Sequence, residues 1–415
     1  MTCASCGGSW LRMLAVMLYR RRGSGSVRQD GEASALPRLR TRLFSLGLAV
    51  VLHLQFTGRV RAENHADYRY ESYLEEDGRI SIQTHSLFFE QHILPWLDLK
   101  GNYVRDAVSG ASPTGAPPPA GSSQVPLKHM EDLRNAGFIE SDIRLGRHLL
   151  TPQLSYSLEH DYESKGISLS DAIDFNQKNT TLSLGYAHDF DQVFPKFWAG
   201  VHKPKDSDDF LVGVTQLLSP KAYISADFTY GYENGYLSDP YKQVRFDGYP
   251  DPTATFPENR PSYKSKEIGY LAFVYFVEAL NGSVEADYRL YHDSFGILSH
   301  TVSVAWHQKI GKHVVLNPLF RYNRQSAADF YVIRLPGDPS DPSSPFPIPA
   351  YYSADYRLSS LHTFTFGLSA TVMLGERVYL DLAYQRYEMH GDDPMTSASA
   401  YPKANVLSGG IRLWW

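Results

Sequence analysis

From Glu63 onward, apolar and polar residues alternate in runs of about ten, separated by clusters of Gly, Pro, Asn and Asp. A period of two is that of a β-strand with one face in an apolar phase and the other in a polar one. In the stretch 361–372, Phe364, Phe366, Leu368, Ala370 and Val372 share one face, while Thr363, Thr365, Gly367, Ser369 and Thr371 share the other. The same alternation runs through Ile167, Leu169, Asp171, Ile173 and Phe175, and through Leu407, Gly409, Ile411, Leu413 and Trp415. No segment shows a convincing 3.6-residue amphipathic period.

The runs predict 16 strands, at about 66–74, 78–90, 95–106, 134–146, 151–163, 166–175, 178–190, 208–218, 221–233, 263–279, 282–294, 297–310, 312–325, 354–374, 376–388 and 402–415. Connections of one parity are short. Those of the other parity include long ones near 107–133, 234–262 and 326–353, the arrangement of an outer-membrane barrel with short periplasmic turns and long external loops. Proline cannot donate to a strand ladder, and five, five and six of the 25 prolines fall in these three segments. Pro318 sits inside an expected strand, so a bulge or a shifted boundary is expected there. The fold class is therefore all-β: a transmembrane antiparallel β-barrel of about 16 strands.

Composition narrows this further. Hydrophobic residues make up 43% of the 415, mean hydropathy is −0.33, and no run of about 20 uncharged apolar residues occurs, so a helical membrane protein is excluded. The 28 Tyr, 21 Phe and 6 Trp suit strands and a lipid interface. Residues 1–62 differ: ten arginines against Asp30 and Glu32 give a net of +8, so the −5 of the whole chain leaves −13 for residues 63–415. Arg38, Arg40 and Arg42 precede the apolar run 43–56, and Val60-Arg61-Ala62 follows, which is the layout of a cleavable signal peptide. The mature chain is expected to start near Glu63, with residues 1–62 an N-terminal extension and signal, and 63–415 the barrel. Cys3 and Cys6 belong to that extension, leaving the mature chain without cysteine.

No Ser-His-Asp order, phosphate loop, paired-cysteine metal site or HExxH follows residue 62, so no enzyme, cofactor or metal is expected. Lone histidines such as His85, His160, His292 and His362 read as lumen or interface residues. Two acidic clusters, Asp206-Ser-Asp-Asp209 and Asp338-Pro-Ser-Asp341, fall in expected external loops and could offer oxygen ligands to Ca²⁺, although solvated loops explain them as well.

The polar faces carry Asp98, Lys100, Glu140, Asp142, Arg144, Asp227, Glu285, Asp287, Arg289, Arg321 and Asp381. Charges of both signs suit a water-filled lumen that filters ions, and equally an electrostatic zipper that plugs it. Leu413, Trp414 and Trp415 end the last expected strand on terminal aromatics, resembling the signal read by the barrel assembly machinery. Tyr230 and Tyr232 suit an aromatic girdle.

Several segments carry a family resemblance: Tyr68-Arg-Tyr-Glu, Asp106-Ala-Val-Ser-Gly-Ala-Ser-Pro, Glu159-His-Asp-Tyr, Lys178-Asn-Thr-Thr-Leu, Gly235-Tyr-Leu-Ser-Asp-Pro-Tyr-Lys, Asp287-Tyr-Arg, Ser326-Ala-Ala-Asp-Phe-Tyr and Tyr351-Tyr-Ser-Ala-Asp-Tyr-Arg-Leu. Together they resemble a family of uncharacterised Gram-negative outer-membrane β-barrels. The resemblance implies fold and outer-membrane location without a substrate, and it leaves room for a periplasmic partner, redox proteins among them. The leading expectation is a porin-like channel or transporter for small solutes or ions, embedded in outer-membrane lipid, with no nucleic-acid partner. The alternative is a non-conducting scaffold for periplasmic proteins.

Overall fold

The computed structural model describes residues 64–198 and 200–415, so the expected signal peptide and the Cys3–Cys6 pair lie outside the described residues. The strands are β1 (His65–Glu75), β2 (Ser81–Leu94), β3 (Leu97–Pro113), β4 (Leu127–Leu145), β5 (His148–Leu158), β6 (Tyr162–Phe175), β7 (Thr180–Val193), β8 (Lys203–Ser219), β9 (Ala222–Gly235), β10 (Gln243–Phe246), β11 (Phe256–Pro257), β12 (Tyr263–Val277), β13 (Gly282–Asp293), β14 (Leu298–Ile310), β15 (Val314–Gln325), β16 (Arg334–Leu335), β17 (Leu361–Leu374), β18 (Val378–Gly391) and β19 (Lys403–Trp414). Sixteen of them close into one antiparallel barrel, and β11, β10 and β16 form a separate three-stranded sheet in the loops. Closure is made by β1 and β19, paired from His65↔Trp414 to Glu75↔Ala404, which leaves the barrel no free edge.

Alternation decides which face meets what. In β17, Phe366 and Leu368 are 53% and 54% exposed, whereas Thr363 and Thr365 on the opposite face are 8% and 9% exposed. Apolar side chains therefore point outward and polar ones inward, the reverse of a water-soluble barrel, and this is the surface of a barrel spanning an outer membrane. Tyrosines on the outer face hydrogen-bond to polar neighbours there: Tyr68 with His85 at 2.8 Å, Tyr186 to Asp208 at 2.7 Å and Tyr288 with His300 at 2.7 Å. Rings with an apolar body and a satisfied hydroxyl belong at the boundary between hydrocarbon and headgroups.

The two ends of the barrel are unlike. At the turn end the connections are 95–96, 146–147, 176–179, 220–221, 278–281, 311–313 and 375–377, with both chain ends of the described barrel nearby. Gly146, Gly311 and Gly375 take φ of 63°, 58° and 81°, the left-handed conformation that reverses a chain within so few residues. At the loop end, residues 236–262 and 326–360 are the longest connections. The segment expected as a loop over 107–133 is strand as far as Pro113 and again from Leu127, because Val108 and Met130 pack inward beside Tyr73, Ile80 and Ile82. Conversely, β17 begins at Leu361 rather than near residue 354, since Tyr356–Leu358 form a 3-10 turn.

Pro318 does not create a bulge. It pairs with Leu368 in unbroken register, while toward β14 the pairing skips from Ala305↔Leu319 to Gln308↔Leu316 without shifting. The missing N–H opens the ladder locally and nothing more. Pro152 inside β5 does the same, with the β4 pairing skipping from Glu140↔Gln153 to Ile143↔Leu150.

Loops from around the rim converge over the loop-end mouth. Gln243 N donates to Thr114 O at 2.9 Å, Val125 N to Ser399 Oγ at 2.9 Å, and Asp329 N to Phe295 O at 2.8 Å. Val244, Phe246, Leu335 and Ala354 form a buried core within this cap. A second cluster, Tyr291, Phe295, Ile297, Ala328 and Leu358, joins the cap to the inner face of β13.

Candidate functional site: barrel interior and cap

All eleven charged candidates lie on the face opposite the exposed apolar side chains. They fall into separate groups. Asp98, Lys100, Glu140, Asp142 and Arg144 come together because β3 and β4 pair Asp98 with Asp142 and Lys100 with Glu140. Lys100 Nζ lies 2.7 Å from Asp142 and 3.3 Å from Glu140, and Arg144 Nη2 lies 2.6 Å from Asp98. Neighbouring strands complete this ladder: His92 Nδ1 is 2.7 Å from Asp98 Oδ1, Thr151 Oγ1 donates to Asp142 at 2.8 Å, and Gln153 Nε2 donates to Glu140 at 2.8 Å.

The remaining candidates are spread around the wall. Arg321 Nε donates to Ser303 Oγ at 3.0 Å, and His307 Nε2 is 3.2 Å from Glu285. Asp287 faces Ser303 in register, and the Arg289 guanidinium lies 5.8 Å from the Tyr291 ring centroid. Asp227 fills the space beside Gly213, where a Cβ would come within 2.1 Å of its Oδ1. Asp381 accepts from Thr371 Oγ1 at 2.6 Å and lies 3.7 Å from Arg412, which also pairs with Asp67 at 3.0 Å. Arg412, Asp67, His307 and His92 were not singled out from the sequence, although each follows its strand's inward parity.

The cap holds a denser group that sequence reasoning missed. Arg357 donates from Nε to Asp355 Oδ1 at 2.9 Å and from Nη2 to Asp239 Oδ2 at 2.6 Å. Arg260 reaches Asp355 Oδ2 from Nη2 at 2.9 Å and forms an ion pair with Glu258 at 2.6 Å. Ser353 Oγ donates to Glu258, and Lys242 Nζ donates to the Pro113 carbonyl. Burial opposes the charge on Asp355, but Arg357, then Lys242 and Arg260, outweigh it and hold the carboxyl well below the usual carboxylate range. Burial pushes the Lys242 ammonium down, with Asp355 opposing. The sequence signal was two acid-x-Arg doublets, Glu258/Arg260 and Asp355/Arg357, in proline-rich loops that read as solvated.

The two acidic clusters considered for Ca²⁺ do not assemble. Asp206–Asp209 lies in β8, not in a loop, so its carboxylates alternate between faces: Asp208 meets His188 outside at 2.8 Å, and Asp209 meets Lys266 inside at 3.0 Å. Asp338 and Asp341 each accept the N–H and hydroxyl of the serine two residues on, closing their own turns.

At the seam, Leu407, Ile411 and Leu413 face outward, while Trp414 turns inward and stacks on His65 at 4.4 Å. Trp415 N donates to Asn64 O at 3.0 Å.

A family model described as "Protein of unknown function (DUF3570)" matches residues 121–199 and 194–411. Among solved structures, the chain is similar to a bacterial polysaccharide outer membrane secretin, with TM-score 0.46 and 7% identity over 86% of this chain and 100% of that one. It is similar to outer-membrane expressed OmpT of Vibrio cholerae, with TM-score 0.43 and 9% identity over 86% and 99%. CdiB from Acinetobacter baumannii gives TM-score 0.48 and 9% identity over 86% of this chain and 61% of that one. No curated protein matches the chain.

Proposed function

Since this chain belongs to the DUF3570 family of proteins of unknown function, we propose from its geometry that it is an outer-membrane channel for small solutes or ions, with passage governed by the cap at the loop end. The observation that carries this reading is the turn-end half of the interior. Inward charges contributed by β1, β2, β13, β14, β18 and β19, among them Asp67, Glu90, Glu285, His307, Asp381 and Arg412, all keep partial contact with solvent. Charges in a dry core would be prohibitive, whereas a 16-strand barrel leaves room for water between its walls. Short turns at one end and long loops at the other support an external position for the cap.

Acidic groups outnumber basic ones among the eleven wall residues, so cations should be modestly favoured. That preference should shrink with salt, because the Debye length falls from about 10 Å at 0.1 M to about 3 Å at 1 M. Single-channel recording of the refolded protein in a KCl gradient tests both points. An anion preference at low salt would defeat the assignment of the wall charges. The packed cap favours a second reading, a non-conducting scaffold for periplasmic partners. Absence of conductance across a wide range of salt and voltage would replace the channel with it.

The closing strand supports a role for Leu413, Trp414 and Trp415 as the segment handed to the barrel assembly machinery. It pairs with both β1 and β18 and so completes the cylinder.

A further inference from the structure

Where β5 ends, β4 continues alone toward the loop end: their ladder stops at Asn135↔Leu158, while β4 stays paired with β3 as far as Leu127. The connection 159–161 folds beside this extension, with His160 N donating to Asp132 Oδ1 at 3.1 Å and Phe194 N donating to Asp161 O at 2.8 Å. Three carboxylates thereby converge, and Asp132, Glu159 and Asp161 each place one oxygen within 4.8 Å of the others. Asp161 is only 4% exposed. The strongest charges acting on it, from Glu159, Asp132 and Asp239, are all negative, and burial together with them pushes its carboxyl up to about 8.

A second, independent feature points into the same place. Tyr241, on the cap loop 236–262, is 6% exposed, and its hydroxyl has no partner of good hydrogen-bond geometry among the described residues, although it lies close enough to interact with Asp161. A basic side chain beside the group, Lys196, has its Nζ 5.8 Å from the Tyr241 ring centroid and feels Asp161 and Asp132 at a distance rather than as an ion pair. Three acids and a buried hydroxyl thus converge on one position.

We propose that Asp132, Glu159 and Asp161, with the Tyr241 hydroxyl, form a site for a hard divalent cation of the Ca²⁺ class at the loop-end rim. The donor set is all oxygen, which such ions prefer and which gives soft or imidazole-seeking metals nothing they favour. Ca²⁺–oxygen distances of about 2.3–2.6 Å put ligands on opposite sides of one ion at most about 4.6–5.2 Å apart, so oxygens within 4.8 Å of one another fit a single coordination sphere. Adaptable Ca²⁺ geometry suits the site better than the near-ideal octahedron Mg²⁺ demands. The ligands come from β4, from the β5–β6 connection and from the cap loop, so the ion would fasten the cap to the barrel wall. This inference does not depend on whether the barrel conducts.

Equilibrium dialysis of the refolded full barrel in lipopolysaccharide-free detergent, after chelation, tests it with Ca²⁺ alone. The expected result is one Ca²⁺ per chain with a dissociation constant of about 10⁻⁴–10⁻³ M, in the range of extracellular sites, and weaker binding of Mg²⁺. Asp161→Asn should weaken binding at least ~10-fold, one charged ligand of three being lost. Tyr241→Phe should weaken it less, and Asp208→Asn on the outer face should leave it unchanged. Because Asp161→Asn also removes repulsion among three acids, it should keep the heat-dependent gel shift of a folded barrel, which separates lost binding from lost folding. Should that shift disappear, Asp132→Asn provides the same comparison. No binding up to about 10 mM, ten times the weakest affinity expected, or binding undiminished in both asparagine variants, would overturn the site.

Discussion

The two halves of the barrel interior use the same strands to different ends. Toward the loops, inward residues such as Ile82, Met130, Tyr291, Asp293 and Ala404 are almost wholly buried beneath a cap whose charges neutralise one another. Toward the turns, the β3–β4 ladder buries Asp98 and Asp142, but the inward charges of Asp67, Glu285, Asp381 and Arg412 form looser pairs and keep their solvent. Identical strand geometry thus supports a packed core at one end and a wetted wall at the other. The difference comes from the loops, which bring apolar rings and countercharges into the mouth, whereas turns of two to four residues bring nothing.

The strongest way to break this contrast is to remove the seam on which both halves depend. Deleting Trp414-Trp415 strips the end of β19 from β1 and β18, so the chain should be exported yet accumulate unassembled and be degraded in the periplasm. Normal outer-membrane levels by fractionation would show that the terminal aromatics are dispensable.

Arg357→Ala separates the halves instead. It leaves Asp355 and Asp239 buried without their shared guanidinium, a loss of about 3–5 kcal/mol by analogy with broken buried pairs. The cap should loosen while the barrel persists, so proteolysis within 236–262 and 326–360 should rise and single-channel conductance should increase, with the heat-dependent gel shift retained. Loss of that shift would show that cap and barrel are one cooperative unit.

The corresponding change toward the turns is Lys100→Ala. It leaves Asp142, 7% exposed, and Glu140 without their ammonium, but Thr151 and Gln153 still donate to them, so stability should fall by about 1–3 kcal/mol, with no change in cap proteolysis. Cation preference at low salt should rise, and a reversal potential identical to wild type would place Lys100 away from the conducting path.

The smallest expected effect is with pH. A carboxyl held low in the folded state contributes stability that is full above its unfolded value, about 3.9, and is lost only as pH falls through the folded value. For Asp355 the loss therefore begins below about pH 4. Asp355 adds no pH dependence between pH 7 and about 5, while Asp161, pushed up to about 8, favours the folded cap as pH falls, so cap proteolysis should not rise across that window, and opening within it would mean another group controls the cap.

The barrel was legible because alternation over ten or more residues has no competing explanation: Phe364 to Val372 announces a two-faced strand from side-chain chemistry alone. The inward residues followed from the same parity. The cap was not legible, for physical reasons. β10 pairs with β16 through only Arg245↔Arg334 and Phe246↔Leu335, too few residues to display a period. Asp355, Arg357, Glu258 and Arg260 lie among prolines and serines, and nothing local shows that two loops far apart in sequence will bury them together. Pro318 misled in the opposite direction. It suggested disruption, yet a long ladder held on both sides of the gap absorbs a missing N–H without losing register.

The parallel pairing of β10 with β16 also orders events in time. Those two strands belong to connections separated by β12, β13, β14 and β15, so they cannot meet until that meander has formed and brought the ends of β9 and β15 onto the same rim. Closing so large a loop ahead of the wall would carry a chain-entropy cost that falls once the meander has brought the two connections together. The newly inserted cylinder is therefore open, and the mouth shuts afterwards. During refolding, protection of 236–262 from protease should lag behind the gel shift that marks barrel closure.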